Sequence, residues 1–354
     1  MIKINKHIEI VRTEITHFSS MGSKSCQKIQ KTLSKHYQRV GVTTVNNLAD
    51  LELLVSKRPD LVFLGLKRLP KVEGVGNAIA DDVWISEYLD DAGISYTGSD
   101  RLATELEFDK SLAKELVNKA GLPTAKFFTA IPGQHISAQH LPLSFPLFIK
   151  PLNAGGGKGI NDDSVVHDFS AFQRKIQDIY TNYGCASLVE QYLQGREFSV
   201  AILENAYDDK LALMPIEIIT QENARGDRIL SSQVKIEDNE LVITVDDKYI
   251  RTEIINLATD VYRLLGARDL GRIDIRMDSS GKAHFLEANL MPGPGTRYFA
   301  GACFINQGMD YETMILRIVE LGLARSLNVG EDALELTTIN STLLSSLEPA
   351  LESI

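Results

Sequence analysis

An α/β fold is predicted for this chain, and three features of the sequence carry the prediction. Short apolar runs bounded by glycine or proline alternate with helical stripes through the first hundred residues. A strand-like segment at 147–151 ends in a proline and runs into a glycine-rich loop at 155–159. A hairpin pattern, with strands at 272–277 and 284–290 joined by Asp278-Ser-Ser-Gly281, supplies antiparallel β structure near the C-terminal end.

Taken in order, Ile29, Leu33 and Tyr37 recur at helical spacing after the polar stretch Ser19–Ser25. Asp60-Leu-Val-Phe-Leu-Gly65 is a short apolar run behind Pro59, as expected of a buried parallel strand. Val83, Ile85, Tyr88 and Leu89 predict another helix, and Ile94–Thr97 a short strand after the Gly93 stop. Strand and helix thus alternate as in a small doubly wound α/β domain. A helix follows from about Phe108 to Ala120, with Leu112, Ala113, Leu116, Val117 and Ala120 as one apolar stripe and Gly121 and Pro123 as its stop. Ser187–Glu190 and Glu197–Leu203 read as strands on either side of Gly195, and a long helix is expected around 311–321. The Ser/Thr/Glu-rich tail beyond Gly330 reads as a loosely attached helix or a frayed end.

The chain has 354 residues, enough for two or three packed units, and its 44% hydrophobic and 24% charged content is that of an ordinary globular protein. The formal charge of -10 makes it a poor partner for nucleic acid or anionic lipid, although a nucleotide pocket can be locally basic. The three cysteines, Cys26, Cys185 and Cys303, form no C-x-x-C pair and are expected to be reduced thiols. Charges at Lys3, Lys6, Glu9, Arg12 and Glu14 break up the start, and no run approaches the length that spans a bilayer, so a cytoplasmic protein is expected.

The hairpin carries the most chemistry. Side chains alternate along a strand, so Arg272, Asp274 and Arg276 share one face and Ile273 and Ile275 the other. On the return strand Phe285, Glu287 and Asn289 are expected on one face, opposite Leu286 and Ala288. Two carboxylates and an amide are all oxygen donors, suited to Mg2+ that also touches phosphate. The same alternation also suits a solvent-facing hairpin. Lys150 and the loop glycines Gly155, Gly156, Gly157 and Gly159 could cradle phosphate, although the spacing is neither a P-loop nor a dinucleotide fingerprint and fits a surface turn equally. Glu190-Gln-Tyr-Leu193, followed by Glu197, could offer backbone groups to an adenine edge and a carboxylate to a ribose.

These pieces, in this order, resemble the ATP-grasp fold and, within it, the D-alanine:D-alanine ligase family. The resemblance runs from about Asp91 to Leu321 through "GISYTGS", "FDKSLAKELVNKAGLPT", "FIKP" before a glycine loop, "LVEQYLQGREFSV" and "RIDIR…FLEANLMPG". It implies a three-domain enzyme, α+β overall: an N-terminal α/β substrate domain at 1–100, a central subdomain with the glycine loop at 101–195, and a C-terminal subdomain at 196–354, the last two sandwiching ATP. By position it implies that Lys110 and Lys150 hold phosphates and that loop 155–159 closes over them. Glu190, Tyr192 and Leu193 would meet the adenine and Glu197 the ribose. Asp274, Glu287 and Asn289 would hold one or two Mg2+ ions, with Mn2+ able to substitute. Arg272 and the Gly293 N–H would stabilise an oxyanion, and Lys235 would be a mobile-loop lysine on the γ-phosphate. The implied reaction joins a carboxylate to an amine through an acylphosphate, with small amino-acid-like substrates and a homodimeric assembly.

Four segments depart from the family. The region expected to carry an acid for the first substrate's ammonium reads "HFSSMGSKSC", and "LKRLPKVEGVGNAIADD" replaces another substrate segment. Gly156 and Gly157 stand where serines are usual, and Pro294-Gly-Thr-Arg-Tyr298 replaces a Thr/Ser pattern, with Arg297 a candidate for the second substrate's carboxylate. These departures admit a second class of function, an ATP-binding regulatory protein without ligase activity.

Overall fold

In the computed structural model, residues 2–15, 21–70, 82–295 and 297–327 are described. The tail beyond Gly330, part of the "HFSSMGSKSC" stretch and most of the 66–82 departure therefore lie outside the described residues.

The N-terminal layer is a parallel sheet of β1 (Ile4–Arg12), β2 (Tyr37–Thr44) and β3 (Leu61–Leu64) in the order β2-β1-β3, with α1 (Ser23–His36) and α2 (Leu48–Ser56) as crossovers. Ile8, Ile10 and Val11 of β1 are fully buried. Glu9 lies among them because Thr43, Lys57 and His7 all hydrogen-bond its carboxylate, which holds it below the usual carboxylate range despite burial. The stretch Ile94–Thr97, expected as a strand, makes a single parallel bridge between Tyr96 and Val62. A two-residue ribbon, β4 (Arg68–Leu69) with β5 (Val83–Trp84), and α3 (Ile85–Asp91) complete this part.

The helix expected at about 108–120 forms as α5 (Lys110–Lys119), and a separate helix that was not expected, α4 (Arg101–Phe108), precedes it. Asp109 leaves the helical region between them and caps α5 by accepting from the N–H groups of Ser111 and Leu112. The stripe is also rotated: Leu112 is exposed, whereas Lys110, Ala113, Lys114 and Val117 are buried. The two lysines face inward because α5 lies over the carboxylates of the site.

The central lobe is a four-stranded antiparallel sheet of β6 (Phe127–Ala130), β7 (Leu147–Pro151), β8 (Val165–Val166) and β9 (Ser187–Gln191), in the order β6-β9-β7-β8. It is covered by the amphipathic α6 (Phe169–Tyr183), which buries Phe172, Ile176 and Ile179.

The C-terminal lobe is a five-stranded antiparallel sheet, ordered β12-β11-β10-β13-β14. Its strands are β10 (Glu197–Glu204), β11 (Leu211–Ile219), β12 (Leu241–Thr244), β13 (Leu270–Met277) and β14 (Ala283–Asn289), with α7 (Ser232–Glu237) and α8 (Lys248–Leu264) between them. Phe198, Val200, Ile202, Ile273 and Ile275 form a core with Ile254, Ala258 and Val261 of α8. The opposite face of β10 is divided by sequence. Ala201 and Leu203 join the apolar core shared with α9 (Ala300–Gln307) and α10 (Tyr311–Leu327), while Glu197 and Ser199 remain polar at the end where the site lies.

The hairpin forms as expected, with Asp274 opposite Glu287 and Arg272 opposite Asn289. One detail differs. The register slips after Asp274, so that Ile275 opposes Phe285 and Leu286 becomes the extra residue of a bulge. Phe285 consequently faces the core with Ile275, and Leu286 turns into the cleft beside Glu287.

Among the described residues no helix is long and apolar enough to cross a membrane, and the three cysteines are free.

Candidate active site

Two cavities meet between the central and C-terminal lobes. The first is lined by β7, β9 and the connection to β10 on one side and by β10, β13 and β14 on the other. It brings together Lys150, Gly157, Glu190, Tyr192, Leu193, Glu197, Lys235, Asp274 and Glu287, nine of the residues expected from sequence. The second, of about 550 Å³, gathers Lys110, Gly155, Gly156, Lys235, Arg272, Asn289 and Gly293. Lys235 borders both. Gly159 lies at the foot of the loop, where an added Cβ would come within 2.4 Å of Pro151.

Local sequence explains each position. Pro151 ends β7, and the loop then turns through positive φ at Gly156, Gly157 and Gly159. Gly157 lies against the N-terminus of α7: a Cβ there would be 3.4 Å from the Ser232 nitrogen and 3.6 Å from Lys235 Nζ. Ser231 caps α7 by accepting from the Val234 N–H, which holds Lys235 toward the loop. Lys110 Nζ donates to the carbonyls of Leu152 (3.2 Å) and Ala154 (2.6 Å), tying α5 to the start of the same loop.

The two candidate metal carboxylates differ. Asp274 accepts from Arg272 Nε and Nη2, both at 2.9 Å, from Ser199 Oγ at 2.6 Å and from Asn289 Nδ2 at 3.1 Å. A carboxylate offers about four lone-pair positions, so Asp274 is saturated. Among the described residues Glu287 has one ion pair, with Lys150 Nζ at 3.8 Å, and no hydrogen bond from them fills its oxygens. Burial alone would raise the Glu287 carboxyl, but the surrounding Lys150, Lys110, Lys235 and Arg272 hold it at about 2, so it is ionised across the neutral range. For Arg272 the Asp274 fork outweighs burial and raises the guanidinium further. Among the described residues no three His, Cys, Asp or Glu side chains are placed together to hold a metal ion. The donor set nonetheless fits a hard cation: two carboxylates on adjacent strands, plus the Asn289 amide, whose nitrogen points at Asp274 and leaves its oxygen for a ligand. Glu287 would be the open ligand for such a cation, and Asp274 would have to exchange donors to become one.

Glu190 and Glu197 contrast in the same way. The Glu190 carboxylate is buried between two ammonium groups, Lys114 Nζ at 2.7 Å and Lys150 Nζ at 3.0 Å. Burial would raise it, and the two lysines together hold it below the usual range. Glu197 has one charged partner, Arg276 at 3.2 Å, and burial together with the nearby Asp274 and Glu287 raises its carboxyl. Arg276 also donates to the Arg228 carbonyl at 3.0 Å, and the Tyr192 hydroxyl accepts from the Arg228 N–H at 2.9 Å, which fixes the Tyr192 ring.

Sequence reasoning missed several members. Lys114 reads as an ordinary surface lysine of a helix, and Ser199 as an ordinary strand residue. The wall of the second cavity holds Arg68, Trp84, Phe108, Glu240 and Tyr298. Arg68 stacks 3.9 Å from the Phe108 ring and pairs with Asp82. The Tyr298 hydroxyl donates to Glu240, which is 1% exposed, and Arg297 pairs with Asp238. Arg297 thus already has a carboxylate partner.

Residues 116–320 match the sequence family described as D-ala D-ala ligase C-terminus, more than half of the chain. The chain belongs to the D-alanine–D-alanine ligase-like ATP-grasp family. Members of this family are ADP-forming, ATP-dependent ligases, and this chain is an enzyme of that class. It is 30% identical over 253 residues to the D-alanine–D-alanine ligase of Desulfotalea psychrophila, covering 70% of this chain and 76% of that protein. It is 29% identical over 336 residues to the D-alanine–D-alanine ligase of Marinobacter nauticus, covering 91% and 95%. Its fold is similar to the crystal structure of the D-alanine–D-alanine ligase of Bacillus anthracis complexed with ATP. That match has a TM-score of 0.70 at 18% identity and covers 93% of this chain and all of that one.

Proposed function

We propose that the first cavity binds ATP with Mg2+ and that the enzyme joins two small amino-acid-like substrates, whose reacting groups meet in the second cavity. The observation that carries this reading is the convergence of Lys150, Lys235, Glu197, Asp274 and Glu287 on one cleft that opens, past Lys235, onto the cavity of Arg272 and Gly293.

In this reading Glu197 accepts from the ribose hydroxyls, and the β9–β10 connection at Tyr192 and Leu193 flanks the base. Lys150, Lys110, Lys235 and the N–H groups of the glycine loop hold the phosphates. Asp274, Glu287 and Asn289 would hold Mg2+, which, when bound, neutralises phosphate charge. A substrate carboxylate oxygen attacks the γ-phosphorus and the bond from that phosphorus to the β,γ-bridging oxygen breaks, so ADP leaves and an acylphosphate forms. The amine of the second substrate then attacks the acyl carbon, the carbon–oxygen bond to phosphate breaks, and the amine gives up its proton as the amide forms. Arg272 and the Gly293 N–H face the oxyanion of that second step. The loop over the phosphates keeps water from the acylphosphate.

The test is ADP release, with amide product identified by mass, across pairs of amino acids in both configurations, D-alanine included. Amide formation with any pair supports the reading. ATP binding without amide product across the panel would leave only a nucleotide-binding protein, and absence of ADP binding would overturn the whole.

A further inference from the structure

Lys114 takes no part in the scheme above, yet it is the most deeply buried lysine among the described residues, at 0% exposure. Its Nζ lies 2.7 Å from Glu190 Oε1 and 2.7 Å from Thr124 Oγ1, and 3.3 Å from the Phe285 carbonyl. Thr124 Oγ1 donates to that same carbonyl at 2.9 Å, and the Phe285 N–H donates to the Pro123 carbonyl. One ammonium therefore joins α5, β9 and β14, the elements carrying Lys110, Glu190 and Glu287.

The charge count around it is more telling. Glu190 is one carboxylate between two ammonium groups, Lys114 on Oε1 and Lys150 on Oε2. Lys150 is in turn drawn toward Glu287, 3.8 Å away on the cleft side. A single carboxylate cannot neutralise two buried cations, so the trio Lys114–Glu190–Lys150 retains one net positive charge. Of the two lysines, only Lys150 lines the nucleotide cleft. With Lys114 removed, Glu190 and Lys150 would form a self-neutralising pair, and Lys150 would lose its pull on an anion.

We propose that Lys114 is a positioning residue that occupies Glu190 and so keeps the charge of Lys150 available to the nucleotide phosphates. The inference rests on the nucleotide reading of the cleft, and it predicts an effect on phosphate rather than on base or ribose.

The experiment compares ADP and adenosine affinities by calorimetry in the full-length protein, because their ratio isolates the phosphate contribution. Lys114→Met should lower the ADP-to-adenosine affinity ratio about tenfold or more, the loss of a charge-assisted contact. Lys114→Met combined with Glu190→Gln removes one positive and one negative charge together and should restore the ratio, which a purely structural role for Lys114 would not do. If Lys114→Met does not fold, Glu190→Gln alone decides: it leaves both ammonium groups unpaired and should raise the ratio. A folded Lys114→Met protein with an unchanged ratio, or a Glu190→Gln ratio that does not rise, overturns this inference alone. Failure of the unaltered protein to bind ADP overturns the nucleotide reading beneath it.

Discussion

The two cavities use charge in opposite ways. Around the proposed nucleotide cleft, Lys150, Lys235 and Arg272 crowd Glu287, whose carboxyl is held at about 2, and its one ion pair among the described residues is with Lys150. Away from the glycine loop, Lys110 and Lys235, each charged wall residue of the second cavity is already answered: Lys67 by Glu107, Arg68 by Asp82, Arg272 by Asp274, Arg297 by Asp238, and Glu240 by the Tyr298 hydroxyl. The first region is built with a deficit that a polyanion and its cation would complete. That part of the second is neutralised in place, so selection there would rest on shape and single hydrogen bonds. Chemistry shared by a family can rest in the first kind of site, while substrate choice can change in the second without disturbing it.

The largest effect that would sharpen this contrast is expected at Glu287. Glu287→Ala should lower turnover, read as ADP release, by about a thousandfold, since several kcal/mol of charge stabilisation is lost. It should lower the melting temperature by less than Asp274→Ala does, because no buried hydrogen-bonded partner is stranded. Asp274→Ala should lower turnover as far but also lower the melting temperature, because it strands the buried Arg272 guanidinium. Equal melting temperatures for the two variants would remove the distinction between an open ligand and a saturated one.

The next effect concerns pH. The folded Glu287 carboxyl lies below its ordinary value of 4.5, so it contributes stability above that pH and loses it as the pH falls from about 4.5 toward 2. The contribution is at most about 3 kcal/mol. Denaturant unfolding of Glu287→Gln should show a shallower decline over that window, and parallel curves would show that the cationic deficit is not felt by this carboxylate.

A smaller change is expected in the second cavity. Tyr298→Phe leaves the buried Glu240 without its hydroxyl donor, worth about 1–3 kcal/mol. It should raise the KM of an amino-acid substrate roughly tenfold while the KM for ATP stays within about twofold. An equal shift in both would mean that the cavities are not separable. The smallest effect is expected at Asp278→Ala. Asp278 accepts from the Ser280 N–H and the Lys282 N–H at the hairpin turn, so its loss should cost about 1 kcal/mol of stability and leave the kinetics unchanged.

The same contrast explains what could be read in advance. The positions of Asp274, Glu287 and Asn289 were legible because period-two alternation holds along β13 and again along β14 from Glu287 to Asn289. The Leu286 bulge was not, since a single extra residue leaves no mark on composition yet reverses which of Phe285 and Leu286 meets the cleft. Lys114 was hidden for another reason: its burial depends on Glu190, seventy-six residues later in the chain. β1 was obscured by Lys6, Glu9 and Arg12, although partners on β2, α2 and the following segment make such charges compatible with an interior strand. The wall at Trp84, Phe108 and Tyr298 comes from separate segments with no shared motif, so only folding brings them together.

One small residue has a mechanical consequence. Gly195 sits in the connection between β9 and β10, its N–H donates to the Met277 carbonyl at 2.9 Å, and a Cβ there would lie 2.6 Å from that oxygen. The passage from one lobe to the other is therefore riveted to the far end of the strand that bears Arg272 and Asp274. Were the central lobe to swing about that rivet, the glycine loop would travel farther than the carboxylates, as a door moves on a hinge set into its own frame. Any side chain at 195 would meet the Met277 and Asp278 backbone and push that hinge off its frame.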